Sequence, residues 1–145
     1  MSGRTSERLL ADFSVASQPG NERVAMQRVS EAVRPLALPL DKLQRLETAV
    51  SETTMNAMEH GNRFQADCPV TVQVVASDTL LSVTVVDMGG ACVGQVAEVP
   101  DLDAKLAGLQ TPRGWGLFLI KNMVDEVSDE RDGDRHTVCL RVRLA

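Results

Sequence analysis

The chain has no excess of basic residues. Its 145 residues include 15 Lys and Arg against 20 Asp and Glu, which gives a formal net charge of -5 at pH 7. A protein that binds nucleic acid in general needs a clustered basic face to neutralise phosphates. The nearest basic cluster, Arg141 and Arg143, is short and alternates with apolar residues. The composition therefore predicts no direct nucleic-acid partner.

Cysteines are few and show no pairing along the sequence. Cys68, Cys92 and Cys139 are far apart, and the chain contains no C-x-x-C motif. An odd number cannot form a complete disulfide framework, and zinc ligands usually come in close pairs. We therefore expect three unpaired thiols, which are typical of a reducing cytosol.

Long apolar runs are also missing. No segment approaches the roughly 18 consecutive apolar residues of a membrane span. Residues 1–6 are polar, where a signal peptide would be followed by an apolar stretch. The sequence thus predicts a cytoplasmic protein without a membrane partner.

The residues that are present are those of an ordinary globular domain, with 43% hydrophobic and 24% charged residues. Because this length suits one hydrophobic core, we expect a single domain over residues 1–145. Apolar periodicity predicts strands at 8–17, 70–76, 80–87, 126–131 and 135–144, and helices at 22–33, from 39 to about 60, and from about 117. The loop-like stretch from 88 to 113 is long enough to be a functional lid. This order predicts an α/β (α+β) two-layer sandwich with a mixed, mainly antiparallel sheet and helices on one face.

The first candidate motif lies on the long predicted helix. Glu52 and Asn56 are four residues apart, so they project to the same side about 6 Å apart along the helix axis. A carboxylate can accept a proton, and a carboxamide oxygen is a hard ligand suited to Mg²⁺. The alternative is that both side chains belong to the solvated face of an amphipathic helix.

The second motif is Asp87-Met88-Gly89, at the end of a run with strong β propensity. A carboxylate just past a strand end can accept a hydrogen bond from a ligand amine, and glycine allows close approach of the backbone. The same residues could also simply end the strand.

The third motif is the turn formed by Arg113, Gly114, Trp115, Gly116 and Leu117, which leads directly into a predicted helix. The glycines allow backbone N–H groups to turn towards an anion, and the helix N-terminus adds positive potential. Arg113 is a candidate phosphate contact. A flexible hinge is the alternative. Because the chain contains no Gly-Lys-Ser/Thr, any nucleotide site here must hold phosphates without a P-loop lysine.

The three motifs together resemble the histidine-kinase-like (GHKL) ATPase superfamily, whose N box, D-x-G box and G-x-G box occur in this order. Within that superfamily the chain is most similar to the anti-sigma factor serine/threonine kinases. The similarity is carried by VSETTMNAMEHGN at 50–62 and GWGLFLIKNMVDEV at 114–127. It covers residues 39–145 well and residues 1–38 only by element order.

The resemblance implies a role for each motif. Asn56 would hold a Mg²⁺ that bridges the phosphates of ATP. Asp87 would accept the amino group of adenine, and Gly89 would line the base pocket. The turn at 113–117 would hold the phosphates. Glu52 would be the general base for an attacking serine or threonine hydroxyl.

Two functions from different classes are compatible with these motifs. In the first, the protein is a serine/threonine kinase that phosphorylates an anti-anti-sigma protein and sequesters a sigma factor. In the second, it is a nucleotide-dependent protein-binding switch with little or no kinase turnover. The family often forms homodimers, so a homodimer is a further possible partner.

Overall fold

The computed structural model describes residues 7–89 and 120–144. Five strands occur in these residues: β1 (Arg8–Ala16), β2 (Pro69–Ala76), β3 (Leu80–Asp87), β4 (Glu126–Asp132) and β5 (Arg135–Arg143). They form one sheet in the order β1-β2-β3-β5-β4. Every pairing among these strands is antiparallel. β5 therefore lies in the interior of the sheet, between β3 and β4.

Side-chain alternation explains which face of the sheet is buried. Val70, Val72 and Val74 are fully buried in β2, while the residues between them are exposed or half-buried. Val83 and Val85 follow the same period in β3. Because successive side chains of a strand point to opposite faces, this pattern places one apolar face against the helices.

The helices α1 (Asn21–Ala32) and α2 (Leu40–Asn56) pack against that apolar face. Val29 of α1 and Leu46 and Val50 of α2 are buried in the same core cluster as the strand valines. The predicted two-layer sandwich with helices on one face is thereby confirmed. Within the described ranges, no helix is both long and apolar enough to cross a membrane.

The long helix ends differently from the prediction. It was expected to run as one helix from 39 to about 60, but α-helical hydrogen bonding ends at Asn56 and a π-helical turn follows at Ala57–Gly61. In this π turn, the N–H of Asn62 donates to the carbonyl of Ala57 at 2.8 Å. π-Helical turns inside helices are often found at functional sites.

The expectation of three unpaired cysteines is wrong. Cys139 is a free thiol, but Cys68 is disulfide-bonded. The spacing of cysteines along the chain does not report their distance in space, and a disulfide needs only two Cβ atoms about 4 Å apart.

The predicted lid at 88–113 falls mostly on residues 90–119, outside the described residues. The assignment of all residues 1–145 to one domain also stays a prediction.

Candidate functional site

A cavity of about 160 Å³ lies between the end of α2 and the part of the sheet formed by β3, β5 and β4. Its wall has an apolar part and a polar part. The apolar part is formed by Ala57, Val85, Ile120 and Val138. The polar part is formed by Thr53, Asn56, Asp87, Asp129, Arg131 and His136. Concave sites with apolar walls and a few placed polar groups are typical of small-molecule binding.

Asp87, the last residue of β3, is the buried acceptor of this cavity, with 3% of its surface exposed. Its Oδ1 atom accepts a hydrogen bond from the Gly89 N–H at 2.9 Å. Burial raises the pKa of Asp87, and the Gly89 N–H, His136 and Arg131 oppose that rise. Oδ1 accepts this short bond, whereas the contact of Oδ2 with His136 is longer, so Oδ2 keeps more capacity to accept a hydrogen bond from a ligand.

His136 on β5 lies between two carboxylates. Its Nδ1 atom is 3.5 Å from Asp87 Oδ2, and its Nε2 atom is 3.0 Å from Asp129 Oδ2. The neutral ring can donate to only one of these oxygens, whereas the imidazolium can donate to both. His136 therefore orients the Asp87 carboxylate and lies beside the oxygen that a ligand would contact.

Asn62 links the segment after Asp87 to the start of β2. Its side-chain Oδ1 atom accepts a hydrogen bond from the N–H of Met88 at 2.8 Å. Its Nδ2 atom donates to the carbonyls of Cys68 and Pro69, each at 3.1 Å. The buried amide thus joins the end of the π turn, the start of β2 and the segment that follows β3.

Gly89 has two reasons to be glycine. Its φ is +64°, a conformation that other residues rarely adopt, and an added Cβ would overlap the backbone carbonyl of Asp134. Through its N–H it fixes Asp87. It is not among the described residues that line the cavity, so its contribution is to hold the carboxylate.

Comparison with known proteins identifies the family. Residues 15–142 match the family model described as "Histidine kinase-like ATPase domain". This match covers most of the 145 residues.

The chain belongs to the histidine kinase-like ATPase domain family.

Relatives of this ATPase domain are anti-sigma factors. It is 31% identical over 140 residues to the anti-sigma F factor of Geobacillus kaustophilus (strain HTA426), a match that covers 92% of this chain and 90% of the relative. It is 28% identical over 123 residues to the anti-sigma F factor of Bacillus subtilis (strain 168), covering 81% of this chain and 78% of that one. The resemblance to the anti-sigma factor kinase family is therefore confirmed.

A solved structure has the same fold. The crystal structure of the RsbU and RsbW domains of Rv1364c from Mycobacterium tuberculosis superposes with a TM-score of 0.64 at 18% sequence identity. The match covers 92% of this chain and 32% of that longer chain. At this identity the similarity supports the GHKL-like fold alone.

Two of the predicted site residues of the ATPase domain meet at one cavity. Asn56, from the helix motif, and Asp87, from the strand-end motif, both line it. Glu52 lies one helical turn before Asn56 on α2 and is half-buried, but it is not among the described residues of the cavity wall. The predicted phosphate turn, Arg113–Leu117, lies outside the described residues.

Four polar residues of this site were not predicted from the sequence: Thr53, Asp129, Arg131 and His136. A signal for His136 was present, because strict alternation with the buried Val138 and Leu140 places it on the inner face of β5. Which residues lie beside His136 depends on the register of the neighbouring strands. In that register His136 pairs with Asp87 of β3 and with Arg131 of β4.

Gly61→Ala is expected to displace Asp87. A Cβ at Gly61 would overlap all three atoms of the Asp87 carboxyl group, which is held by Gly89 and buried. Overpacking of this kind usually costs about 1–3 kcal/mol of stability. We expect a lower melting temperature and at least an order of magnitude weaker ATP binding, measured by calorimetry.

Gly20→Ala is the control, because its Cβ meets nothing within 4 Å while its φ of +101° strains the backbone. That variant should lose stability but keep ATP affinity, and equal ATP affinity in both variants would contradict the account.

Asp87→Asn is expected to separate stability from binding. Because burial raises the pKa of Asp87, the folded state holds this proton more tightly than the unfolded state does. The stabilisation is complete below the unfolded pKa and is lost as pH rises through the folded pKa. The asparagine variant cannot lose it, so its melting temperature relative to wild type should increase as pH rises from about 4.

The same variant should bind ATP about 10- to 100-fold more weakly, since an amide replaces a charged acceptor. A melting-temperature difference that shrinks with rising pH would contradict the burial argument. Unchanged ATP affinity would contradict the prediction that the carboxylate of Asp87 binds the adenine base.

Proposed function

We propose that this domain binds ATP with Mg²⁺ and acts in the cytoplasm as a serine/threonine protein kinase and anti-sigma factor. In this role it phosphorylates an anti-anti-sigma protein and sequesters a sigma factor. One observation carries the proposal: Asn56 and Asp87, which lie in separate motifs, line one cavity that combines a buried carboxylate with apolar walls.

The cavity has the chemistry expected of a site for the adenine base. Ala57, Val85, Ile120 and Val138 offer apolar surface to a planar ring. The base has an amino group that can donate to Asp87. Asp87 already accepts a hydrogen bond from Gly89, and a carboxylate has further acceptor capacity that a base with a donor at this position would use.

Asn56 suits a magnesium that is held mainly by phosphates. Mg²⁺ in such sites takes one or two protein oxygen ligands, several waters and substrate phosphates. The described residues contain no cluster of three or more His, Cys, Asp or Glu that could hold a metal by themselves. Asn56 lines the cavity, and its carboxamide would supply one hard oxygen. A bound Mg²⁺ would neutralise charge on the transferred phosphoryl group.

Glu52 is the proposed general base. It projects from the same side of α2 as Asn56, one helical turn earlier and outside the described cavity wall. This position would let Glu52 receive the proton of an incoming serine or threonine hydroxyl while Asn56 acts at the phosphates. Phosphoryl transfer depends mostly on alignment and charge stabilisation, so one positioned base is sufficient.

Family membership supports the partner part of the proposal. Several relatives are anti-sigma F factors that match over most of both chains. By analogy, the partners of this chain would be a sigma factor and the anti-anti-sigma protein that serves as phosphate acceptor. A homodimer stays a prediction.

The experiment that tests the proposal is phosphate transfer from [γ-³²P]ATP. The protein is incubated with the anti-anti-sigma protein encoded beside its gene, with Mg²⁺ or with EDTA. Label on a serine or threonine of the partner, only when Mg²⁺ is present, supports the kinase. Binding of ATP without transfer would support the nucleotide-dependent switch instead, and absence of ATP binding would contradict both functions.

A further inference from the structure

The two carboxylates beside the His136 ring differ greatly in exposure. The ring's Nδ1 atom is 3.5 Å from Oδ2 of Asp87, whose side chain is 4% exposed. Its Nε2 atom is 3.0 Å from Oδ2 of Asp129, whose side chain is 59% exposed. One nitrogen therefore faces the buried acceptor of the proposed adenine site, and the other faces a carboxylate at the surface.

The charged neighbours of this ring come from both adjacent strands. Asp87 ends β3, and Asp129 and Arg131 lie on β4, where Arg131 pairs directly with His136. α2 and the π turn that follows it contribute no charged residue to the described wall of the cavity. Among the described residues of that wall, the ring thus has two carboxylates and one guanidinium around it.

The charge of the ring decides how many of these contacts it can satisfy. An imidazolium has an N–H on each nitrogen and can donate to both carboxylates. A neutral ring has a single N–H, and its other nitrogen presents a lone pair. The distance to Asp129 is ideal for a hydrogen bond, whereas the distance to Asp87 is at the outer limit. We therefore expect a neutral ring to keep its proton on Nε2 and to turn the Nδ1 lone pair towards Asp87.

A lone pair opposite Oδ2 weakens Asp87 as an acceptor. Burial raises the pKa of Asp87, and His136 is one of the groups that oppose this rise. Without a proton on Nδ1, the carboxyl group takes up a proton more readily or turns away from the lone pair. Either change reduces its capacity to accept a hydrogen bond from the adenine amino group.

We propose that His136 is a positioning residue for the adenine acceptor, and that Asp129 determines which nitrogen of its ring carries the proton. In the charged ring, Nδ1–H holds Asp87 Oδ2 in place for the base. When the ring releases one proton to solvent, Asp129 keeps the remaining N–H and Asp87 loses its partner. The affinity for ATP therefore falls as pH rises. This inference rests on the proposed ATP-binding function and adds control by protons to it.

Calorimetry with ATP and Mg²⁺ at about pH 6 and about pH 8 tests this dependence, because histidine ordinarily changes charge in this range. Wild type should bind about three- to tenfold more weakly at the higher pH. His136→Ala should bind weakly at both. The chain has one other histidine, His60, on the π turn. His60→Gln should show the same fall as wild type. Titration of the nucleotide itself is common to all variants.

Asp129→Ala tests the competition between the two carboxylates. Without Asp129, the neutral ring can place its proton on Nδ1 and still donate to Asp87. This variant should therefore bind ATP equally well at both pH values, with the affinity of wild type at the lower one. Asp132→Ala is the matched control, because it removes an exposed carboxylate of β4 that pairs with Arg135 and not with His136. It should keep the wild-type fall.

The nitrogen resonances of the ring give a readout that needs no nucleotide. Once the ring is neutral, ¹⁵N NMR should place its proton on Nε2 in wild type and on Nδ1 in Asp129→Ala. The same tautomer in both proteins would overturn the inference. ATP binding by wild type that is independent of pH, or an unchanged fall in Asp129→Ala, would overturn it while the proposed ATP-binding function still stands. Absence of ATP binding by wild type at both pH values would overturn the proposed function and this inference together.

Discussion

Asn56→Ala is expected to abolish Mg²⁺-dependent ATP binding. Asn56 is the last residue of α2 and lines the cavity that contains Asp87, and its carboxamide oxygen is the proposed metal ligand. Alanine has no ligand atom, so a bound metal would lose its protein contact and the triphosphate would lose its alignment. We expect a loss of at least 100-fold, because removal of a metal contact also leaves phosphate charge uncompensated.

Calorimetry with and without Mg²⁺ separates this effect from unfolding. The control is Gln44→Ala, which removes an exposed carboxamide three helical turns earlier on α2. That variant should bind ATP normally. With EDTA in place of Mg²⁺, Asn56→Ala and wild type should bind equally weakly. Mg²⁺-dependent binding that persists in Asn56→Ala would show that the metal is held elsewhere.

Glu52→Gln is expected to keep ATP binding and lose phosphate transfer. Glutamine has the same shape but cannot take the proton of the attacking hydroxyl. General-base catalysis typically contributes about 10²- to 10⁴-fold to a rate. Because Glu52 lies outside the described wall of the cavity, the affinity for ATP should change less than twofold.

Single-turnover transfer of labelled phosphate to the anti-anti-sigma protein measures the rate. Glu59→Gln is the control, since it removes an exposed carboxylate from the following π turn. Its transfer rate should equal that of wild type. A normal rate in Glu52→Gln would remove Glu52 from the mechanism, and a parallel loss of ATP affinity would assign it a binding role instead.

The strands and the fold class could be predicted because they depend on a local signal. Alternating valines in 70–76 and 80–87 specify a strand with one buried face, and the structure contains β2 and β3 at these places. The pairing of the last hairpin with β3 was not predictable in the same way. Register is set by contacts between residues far apart in the chain.

The site was predictable only in part for the same reason. The motifs provided Asn56 and Asp87 because their residue types and spacing have chemical meaning. They did not provide His136, whose importance comes from the two carboxylates that lie opposite it.

The π turn at Ala57–Gly61 has a tertiary cause as well. Gly61 lies against the Asp87 carboxyl group with no room for a Cβ. The next residue, Asn62, bonds to β2 and to the segment after β3. A pattern of helical spacing cannot show that the last turn must widen to make these contacts.

The central claim is that the cavity beside Asp87 binds the base of ATP. The most direct test is a crystal structure of the protein with Mg²⁺ and a non-hydrolysable ATP analogue. We expect the adenine amino group to donate to Asp87 Oδ2, the ring to lie against Ala57 and Val138, and Asn56 to contact the metal. An adenine ring bound elsewhere, with the Asp87 cavity empty, would contradict it.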